Sequence, residues 1–177
     1  MSFGRSNAAV DPAGKTPEKG MECSLGLLQR RAHSVRELST KLRQRQFPAS
    51  VVRQTVEELQ RLGLLDDWQF ATMFVREKLH PSARPLGRRR ILQNLERRGI
   101  ASDTARQAWE AVEQEDQPQP ESERAKRAAE QKMKLLRTSA DPRKTRASLW
   151  RHLASRGFAP DSAAEALECL DGEDQPD

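Results

Sequence analysis

A pattern of three apolar residues occurs three times in this chain of 177 residues, each time with the same spacing. The three copies are Leu38, Leu42, Phe47; Ile91, Leu95, Ile100; and Leu149, Leu153, Phe158. Three further apolar positions follow in the same register: Val52, Val56, Leu59; Ala105, Trp109, Val112; and Ala163, Leu167, Leu170. Such a fixed register is typical of one duplicated helical unit. We therefore expect an all-α fold of three tandem three-helix repeats.

A basic turn precedes the third apolar residue of each copy. Arg98 and Gly99 form this turn in the second copy, and Arg156 and Gly157 form it in the third. Glycine readily takes the left-handed backbone that ends many helices. The first copy has Gln46 at this position, so we expect its turn to be strained or closed differently.

The composition favours small helical bundles over one large core. Charged residues make up 32% of the chain, aromatic residues 5%, and there is no tyrosine. Each repeat should be marginal alone and lean on its neighbour. Cys23 and Cys169 form no spaced pair and are expected to be reduced. No apolar run is long enough to cross a bilayer, and residues 1–20 lack a signal-peptide core, so we expect a cytoplasmic monomer without membrane contact.

Local composition predicts the boundaries of the repeats. Pro81 and Pro85 should interrupt the helices between residues 80 and 87, and the acidic segment 113–122 should be a spacer. The predicted organisation is a disordered tail at 1–20, repeats at 21–64, 65–116 and 117–171, and an acidic tail at 172–177.

Two short motifs predict helix starts. Ser34 with Glu37 has the spacing of a capping box, and Asp66 with Gln69 can form a similar arrangement. The adjacent carboxylates Asp66 and Asp67 could instead suggest metal binding or acid–base chemistry, but neighbouring helical residues point to different sides. We therefore interpret them as capping residues.

Positive charge is concentrated in parts of the chain. Residues 123–156 contain 11 Lys or Arg against three Asp or Glu, whereas residues 157–177 contain seven acidic residues and no basic one. Clustered positive charge favours contact with a polyanion, although a solvated helix face is the alternative. The sequence Arg88-Arg89-Arg90 is unfavourable at a helix start, which suggests that a partner supplies negative charge. The candidate contact residues are Arg84, Arg88, Arg89, Arg90, Arg97, Arg98, Lys126, Arg127, Arg146, Trp150 and Arg151.

Signals for catalysis are weak. The histidines His33, His80 and His152 are isolated from one another and from cysteine pairs, so we expect no metal site. Neither a glycine-rich phosphate loop nor a nucleophile elbow is present. We expect a protein that is not an enzyme and has no cofactor.

The sequence resembles the RecX family of bacterial recombination regulators. The resemblance is carried by Leu27-Leu28-Gln29-Arg30-Arg31-Ala32-His33-Ser34 and by Leu62-Gly63-Leu64-Leu65-Asp66-Asp67 with Phe70-Ala71 and Phe74. It continues through Ile91, Leu95, Gly99 and Ile100, and covers residues 21–171.

The resemblance implies three three-helix units in an elongated, curved array. It also implies binding along the groove of the RecA filament, with contact to the single-stranded DNA inside it, and restraint of ATP hydrolysis, strand exchange and coprotease activity in recombination, repair and the SOS response. Asp66, Asp67, Phe70, Gly99 and Gly157 are then structural motif residues.

Arg76, on the helix of the Leu-Asp-Asp motif, is a further contact candidate. The alternatives are a DNA-binding protein with helix-turn-helix-like units, which could also contact DNA weakly and directly, and, more remotely, a metal-dependent nuclease.

Overall fold

The structure, a computed structural model, describes residues 14–136 and 141–173. Every regular element in these ranges is helical, as the sequence predicts. The helices are α1 (Pro17–Leu28), α2 (Val35–Gln44), α3 (Ala49–Arg61), α4 (Asp67–Leu79), α5 (Arg88–Arg97), α6 (Ser102–Asp116), α7 (Glu121–Met133), α8 (Pro142–Ser155) and α9 (Pro160–Glu173).

Two compact units divide the described residues. The first comprises residues up to Phe70 together with Arg98–Ile100, and the second comprises Ala71–Arg97 and the residues from Ala101 onward. The division cuts through the second sequence repeat. The turn between α5 and α6 belongs to the first unit, although both flanking helices lie mainly in the second.

The repeated apolar positions form the cores, because spacings of three and four residues place them on one helix face. In the first unit, α1, α2 and α3 pack around a core of Leu27, Leu38, Leu42, Val52, Val56, Leu59 and Leu65. In the second unit, α7, α8 and α9 enclose Ala125, Ala128, Ala129, Leu149, Leu153, Phe158, Ala163, Ala166, Leu167 and Leu170. The alanines of α7 keep its buried face small, which permits close helix packing.

Three predicted boundaries differ from the structure. Helix α1 begins at Pro17, inside the predicted disordered tail, because Thr16 caps it by accepting the Lys19 N–H. The predicted spacer at 113–122 is largely helical, since α6 continues to Asp116 and α7 starts at Glu121. Helix α9 reaches Glu173, two residues into the predicted acidic tail. The rest of the two predicted tails, residues 1–13 and 174–177, lies outside the described residues.

A pair of hydrogen bonds joins the start of α2 to the next sequence repeat. Ser34, which precedes α2, donates its hydroxyl to the carbonyl oxygen of Arg98 at 2.5 Å. The N–H of Val35, the first residue of α2, is accepted by Asp67 at 2.9 Å. These partners all lie in the first unit. We call this pair of bonds the repeat joint.

The second unit contains an equivalent repeat joint at the start of α5. Gly87 donates its N–H to the carbonyl of Arg156 at 3.1 Å, and Arg88 donates its N–H to Glu121 at 2.8 Å. Gly87 and Arg156 occupy the repeat positions of Ser34 and Arg98, and Asp67 and Glu121 each begin the first helix of a repeat. The duplication therefore includes the polar contacts as well as the apolar core.

Two glycines are required at the repeat joint, because neighbouring residues lie too close to leave room for a side chain. Gly99 and Gly157 have φ values of 92° and 79°. A Cβ atom on Gly157 would lie 2.5 Å from the backbone nitrogen of Arg90, and one on Gly99 would overlap the Arg36 side chain. A larger residue would thus meet both backbone strain and a steric clash.

The turn of the first repeat is strained rather than closed differently. The Phe47 N–H donates to the Leu42 carbonyl, just as the Phe158 N–H donates to the Leu153 carbonyl in the third repeat. Gln46 has a φ of 65°, a left-handed conformation that costs an L-residue about 1–2 kcal/mol, but its side chain is exposed. Lys15 donates to the carbonyl of Arg45 at 2.5 Å and lies 4.7 Å from the centre of the Phe47 ring. Arg45 is the repeat equivalent of Arg98 and Arg156, so the same carbonyl is bonded in all three repeats.

Candidate functional site

A cleft of about 660 Å³ lies in the second unit, beside the repeat joint. Its polar lining comes from the end of α4, the connector, α5 and the end of α8 with its following turn. The cationic residues of this lining are Lys78, Arg84, Arg90 and Arg156, and His152 and Asn94 lie with them. We call it the basic cleft.

The wall of the basic cleft includes a buried arginine. Arg156 is only 9% exposed and donates from Nη1 to the carbonyl of Pro85 at 2.8 Å. Burial, and then the nearby charge of Arg84, lowers the pKa of Arg156, although an arginine side chain stays protonated in proteins.

Two other arginines bring charge without an internal partner. The guanidinium groups of Arg84 and Arg90 form no hydrogen bond or ion pair with the described residues, and Arg90 is half-buried. The carboxylate that lines the cleft, Glu77, is 2.6 Å from Lys78. The lining therefore carries more positive than negative charge.

The positive charge of the lining affects the pKa of His152. Burial lowers its pKa, and the charges of Arg156, Lys132 and Arg84 lower it further. The imidazole consequently stays neutral to lower pH than a solvated histidine. The hydroxyl of Ser155, also in the lining, donates to the backbone carbonyl of His152 at 2.8 Å rather than to an imidazole, so this pair is not arranged as a nucleophile with its base.

An exposed basic face lies on the same helix as His152. Arg146, Trp150 and Arg151 of α8 are exposed, with Trp150 at 41%. Arg146 and Trp150 are four residues apart and thus on the same side of the helix. An exposed aromatic ring beside cations can stack on a nucleic-acid base, while a solvated helix face is the simpler alternative.

The Arg88–Arg90 triplet begins α5 as predicted, but the chain itself supplies much of the balancing charge. Glu121 accepts the Arg88 N–H, and the Arg88 guanidinium lies 3.8 Å from Glu110. Arg89 donates to the carbonyl of Ala154 at 3.1 Å. No external partner is needed to explain the Arg88 position. Arg90 is the member that faces the basic cleft.

Other predicted contact residues are also held by internal partners. Arg76 bonds to Glu115 at 2.5 Å and to Asp116 at 3.0 Å. Arg98 bonds to Glu37 at 2.5 Å in the first unit. Arg127 is half-buried and donates to the carbonyl of Pro81 at 2.7 Å. Lys126 is also half-buried, whereas Arg97 is exposed. The structure thus separates structural arginines from available ones, which charge counting alone cannot do.

The two aspartates of the Leu-Asp-Asp motif have distinct structural partners. Asp66 accepts the N–H groups of Trp68 and Gln69, at 2.7 and 3.3 Å, and so caps α4. Asp67 belongs to the repeat joint, where burial, followed by the charge of Asp66, raises its pKa against the effect of the Val35 N–H bond. In the described ranges, no group of three His, Cys, Asp or Glu side chains is placed to hold a metal ion.

Sequence reasoning missed most of the basic cleft. It selected Arg84 and Arg90 but treated His152 only as an isolated histidine without a metal site, and it left out Lys78, Asn94 and Arg156 as contact residues. The cleft joins segments that are about 70 residues apart, as the Arg156–Pro85 bond illustrates. The one local signal was the repeat register, which aligns Arg156 with Arg98 and Gly87 with Ser34.

Within the described ranges, none of the helices combines the length and apolarity required to cross a bilayer.

Comparison with family models matches three successive segments of the chain. Residues 21–59 match the first three-helix domain of RecX, residues 66–108 the second and residues 119–167 the third. Each matched segment contains one copy of the apolar triplet.

Curated relatives and solved structures are similar along most of the chain. The regulatory protein RecX of Halorhodospira halophila is 31% identical and aligns with 94% of this chain and 97% of its own. The RecX of Chlorobium phaeobacteroides is 31% identical over 85% of this chain and 93% of its own. A crystal structure of RecX from Lactobacillus salivarius superposes with a TM-score of 0.69 at 22% identity, covering 88% of this chain and 96% of that one. These matches establish the three-domain helical fold.

Proposed function

The chain belongs to the RecX family of regulatory proteins, and on this premise we propose that it binds the RecA filament on DNA and restrains its activity. The restrained activities are ATP hydrolysis, strand exchange and coprotease action in recombination, repair and the SOS response. The proposal includes action as a monomer in the cytoplasm.

The observation that carries the proposal is the available positive charge of the second unit. The guanidinium groups of Arg84 and Arg90 form no hydrogen bond or ion pair with the described residues, and Arg151 is exposed on α8. Positive side chains next to DNA phosphates release condensed counterions, which favours binding at moderate salt. A filament presents both protein and DNA, so this surface suits the DNA part of a composite target.

The proposed regulation acts by binding alone. The basic cleft offers cations, an amide and an imidazole, and Ser155 is bonded to a backbone carbonyl rather than to a base. We therefore assign no catalytic residue, cofactor or metal ion to this function.

The test measures single-strand-dependent ATP hydrolysis by RecA while this protein is titrated in. The titration is repeated with a large excess of free single-stranded DNA. Inhibition that survives the excess supports the filament as target. Inhibition that the excess abolishes, or no inhibition at all, favours the alternative of a DNA-binding protein with helix-turn-helix-like units.

A variant pair then tests the surface. Arg151→Glu places a negative charge on the exposed face of α8, whereas Arg106→Glu makes the same charge change on α6, where Arg106 is paired with Asp103. We expect weaker inhibition from Arg151→Glu and little change from Arg106→Glu. Equal inhibition by both variants at matched salt would exclude the α8 face from the contact.

A further inference from the structure

The basic cleft gathers four cationic side chains, two of which, Arg84 and Arg90, have no charged or hydrogen-bonding side-chain partner among the described residues. The guanidinium groups of Arg84 and Arg90 make no hydrogen bond or ion pair with the described residues, and the lining contains four Lys or Arg side chains against Glu77. Burying or crowding unbalanced positive charge costs free energy unless a counter-charge is present. Such an excess in a concave site is therefore typical of a site for an anion.

The fixed geometry of the wall favours this interpretation. Arg156 is nine-tenths buried and is held by the Pro85 carbonyl, so its guanidinium does not need to be ordered when an anion binds. The backbone on both sides is also fixed, because Gly87 and Arg156 share a hydrogen bond of 3.1 Å in the repeat joint. A preorganised site loses less conformational entropy on binding than a set of free surface side chains.

The number and type of donors point to phosphate rather than carboxylate. Guanidinium groups bind either anion through paired N–H donors. Three arginines, a lysine and the Asn94 amide would oversupply one carboxylate, which has two oxygens and one charge. A free phosphate or phosphate monoester, or successive phosphodiesters of a nucleic-acid strand, offers more acceptor oxygens and more negative charge. The neutral His152 imidazole can add a further donor.

We propose that the basic cleft, lined by Lys78, Arg84, Arg90, Asn94, His152 and Arg156, binds a phosphate group. The phosphate comes from the backbone of single-stranded nucleic acid or from a free phosphate compound. The first source is consistent with the position of His152 and Arg156 at the end of α8, the helix that exposes Trp150 and Arg151. For this source the inference rests on the proposed function and identifies where the DNA backbone is held.

The test follows the side-chain resonances of the cleft by NMR in the full chain. Arginine Nε–Hε and histidine ring signals are recorded during titration with a short oligo(dT) and, separately, with inorganic phosphate at constant ionic strength. The test variant is the double substitution Arg84→Gln with Arg90→Gln. The control is Arg53→Gln with Arg106→Gln, which removes the same charge from two exposed arginines that do not line the cleft.

Two results support the site and distinguish the sources. Shifts of the Arg84, Arg90 and His152 signals by oligo(dT) indicate a backbone phosphate, and the test variant should then bind more weakly with a salt slope smaller by about one. Shifts of the same signals by inorganic phosphate, but not by oligo(dT), indicate a free phosphate compound. In either case the control variant should behave as the unsubstituted chain does.

Two results overturn the site. One is that neither probe shifts the cleft signals. The other is that the test variant binds the probe that shifts the cleft signals as tightly as the control variant does. Circular dichroism and urea unfolding of both variants verify that they are folded. Measuring RecA inhibition in parallel separates the two proposals, because a phosphate site in a chain that does not inhibit RecA contradicts only the proposed function.

Discussion

Asp67 accepts, at 2.9 Å, the N–H of Val35, a residue 32 positions earlier that begins another helix. Glu121 accepts the N–H of Arg88 in the same way, at 2.8 Å. The first amides of a helix have no intrahelical partner, so each of these helices takes part of its capping from the following repeat. The repeats are thus coupled by specific polar bonds, and neither α2 nor α5 is capped completely by its own repeat.

Two substitutions of Asp67 should separate the contribution of its hydrogen bond to stability from the contribution of its charge. Asp67→Ala removes the acceptor for the Val35 N–H, and we expect the free energy of unfolding to fall by about 1 kcal/mol, as for the loss of other helix caps. Asp67→Asn retains an oxygen acceptor and should be close to the unsubstituted chain at neutral pH. Urea unfolding measures both effects.

The pH dependence of unfolding in the unsubstituted protein and in Asp67→Asn provides a second test of the environment of Asp67. Because burial raises the pKa of Asp67, the folded state binds this proton more tightly than the unfolded state does. Ionised Asp67 therefore costs stability at neutral pH, and this cost is relieved as the pH falls to about 4. The unsubstituted chain should gain stability relative to Asp67→Asn over that fall, and a relative loss would contradict the burial argument. Asp103→Ala, on the surface of α6, is the control.

Replacement of Gly157 should show that the repeat joint needs more than a left-handed backbone. Gly157→Ala meets both a φ of 79° and the Arg90 backbone, whereas Gly63→Ala meets a φ of 68° in open space. We expect Gly63→Ala to cost about 1–2 kcal/mol and Gly157→Ala to cost more. Thermal or urea unfolding compares them. Equal costs would mean that the chain relaxes around the added methyl group.

The repeat register predicted the cores because helix periodicity alone decides which side chains are buried. Leu42 and Leu95 are fully buried, and Trp109 is only 2% exposed, in agreement with their apolar register. The state of each arginine depends on partners that are distant in the sequence. Arg76 needs Glu115, and Arg156 needs the Pro85 carbonyl, so neither position could be predicted from local spacing. The phosphate site is likewise a product of tertiary structure.

Protonation of His152 should destabilise the fold. Its pKa is lowered by burial and then by Arg156, Lys132 and Arg84, so the folded state favours the neutral ring. Stability associated with this group is present above its unfolded pKa of about 6.5 and decreases as the pH falls below that value. His152→Gln should flatten this part of the stability–pH curve. Burial also lowers the pKa of His33, so the matched substitution His33→Gln is needed to separate the two contributions.

Trp150 should contribute to binding but not to folding. It is 41% exposed on α8, so Trp150→Ala should change the free energy of unfolding by less than about 0.5 kcal/mol. If a base stacks on the indole, the same change should weaken binding of oligo(dT) by about 1–3 kcal/mol in a fluorescence anisotropy titration. Trp68 has the same exposure in the first unit, so Trp68→Ala is a matched control. Equal binding by both variants would exclude stacking at Trp150.

In the first and the last repeat, the backbone groups that would form a repeat joint are bonded within the same repeat or by the segment that precedes it. Lys15 bonds the Arg45 carbonyl. Thr145 is the repeat equivalent of Ser34 and Gly87, but α8 has already begun there, so the Thr145 N–H donates to the carbonyl of Asp141 at the start of the same helix. A contact that joins one repeat to the next can also join one molecule to another, and head-to-tail contacts that do not close into a ring produce open-ended filaments. The Lys15 and Asp141 contacts therefore occupy, within the chain, groups that a second copy of the chain could otherwise bond.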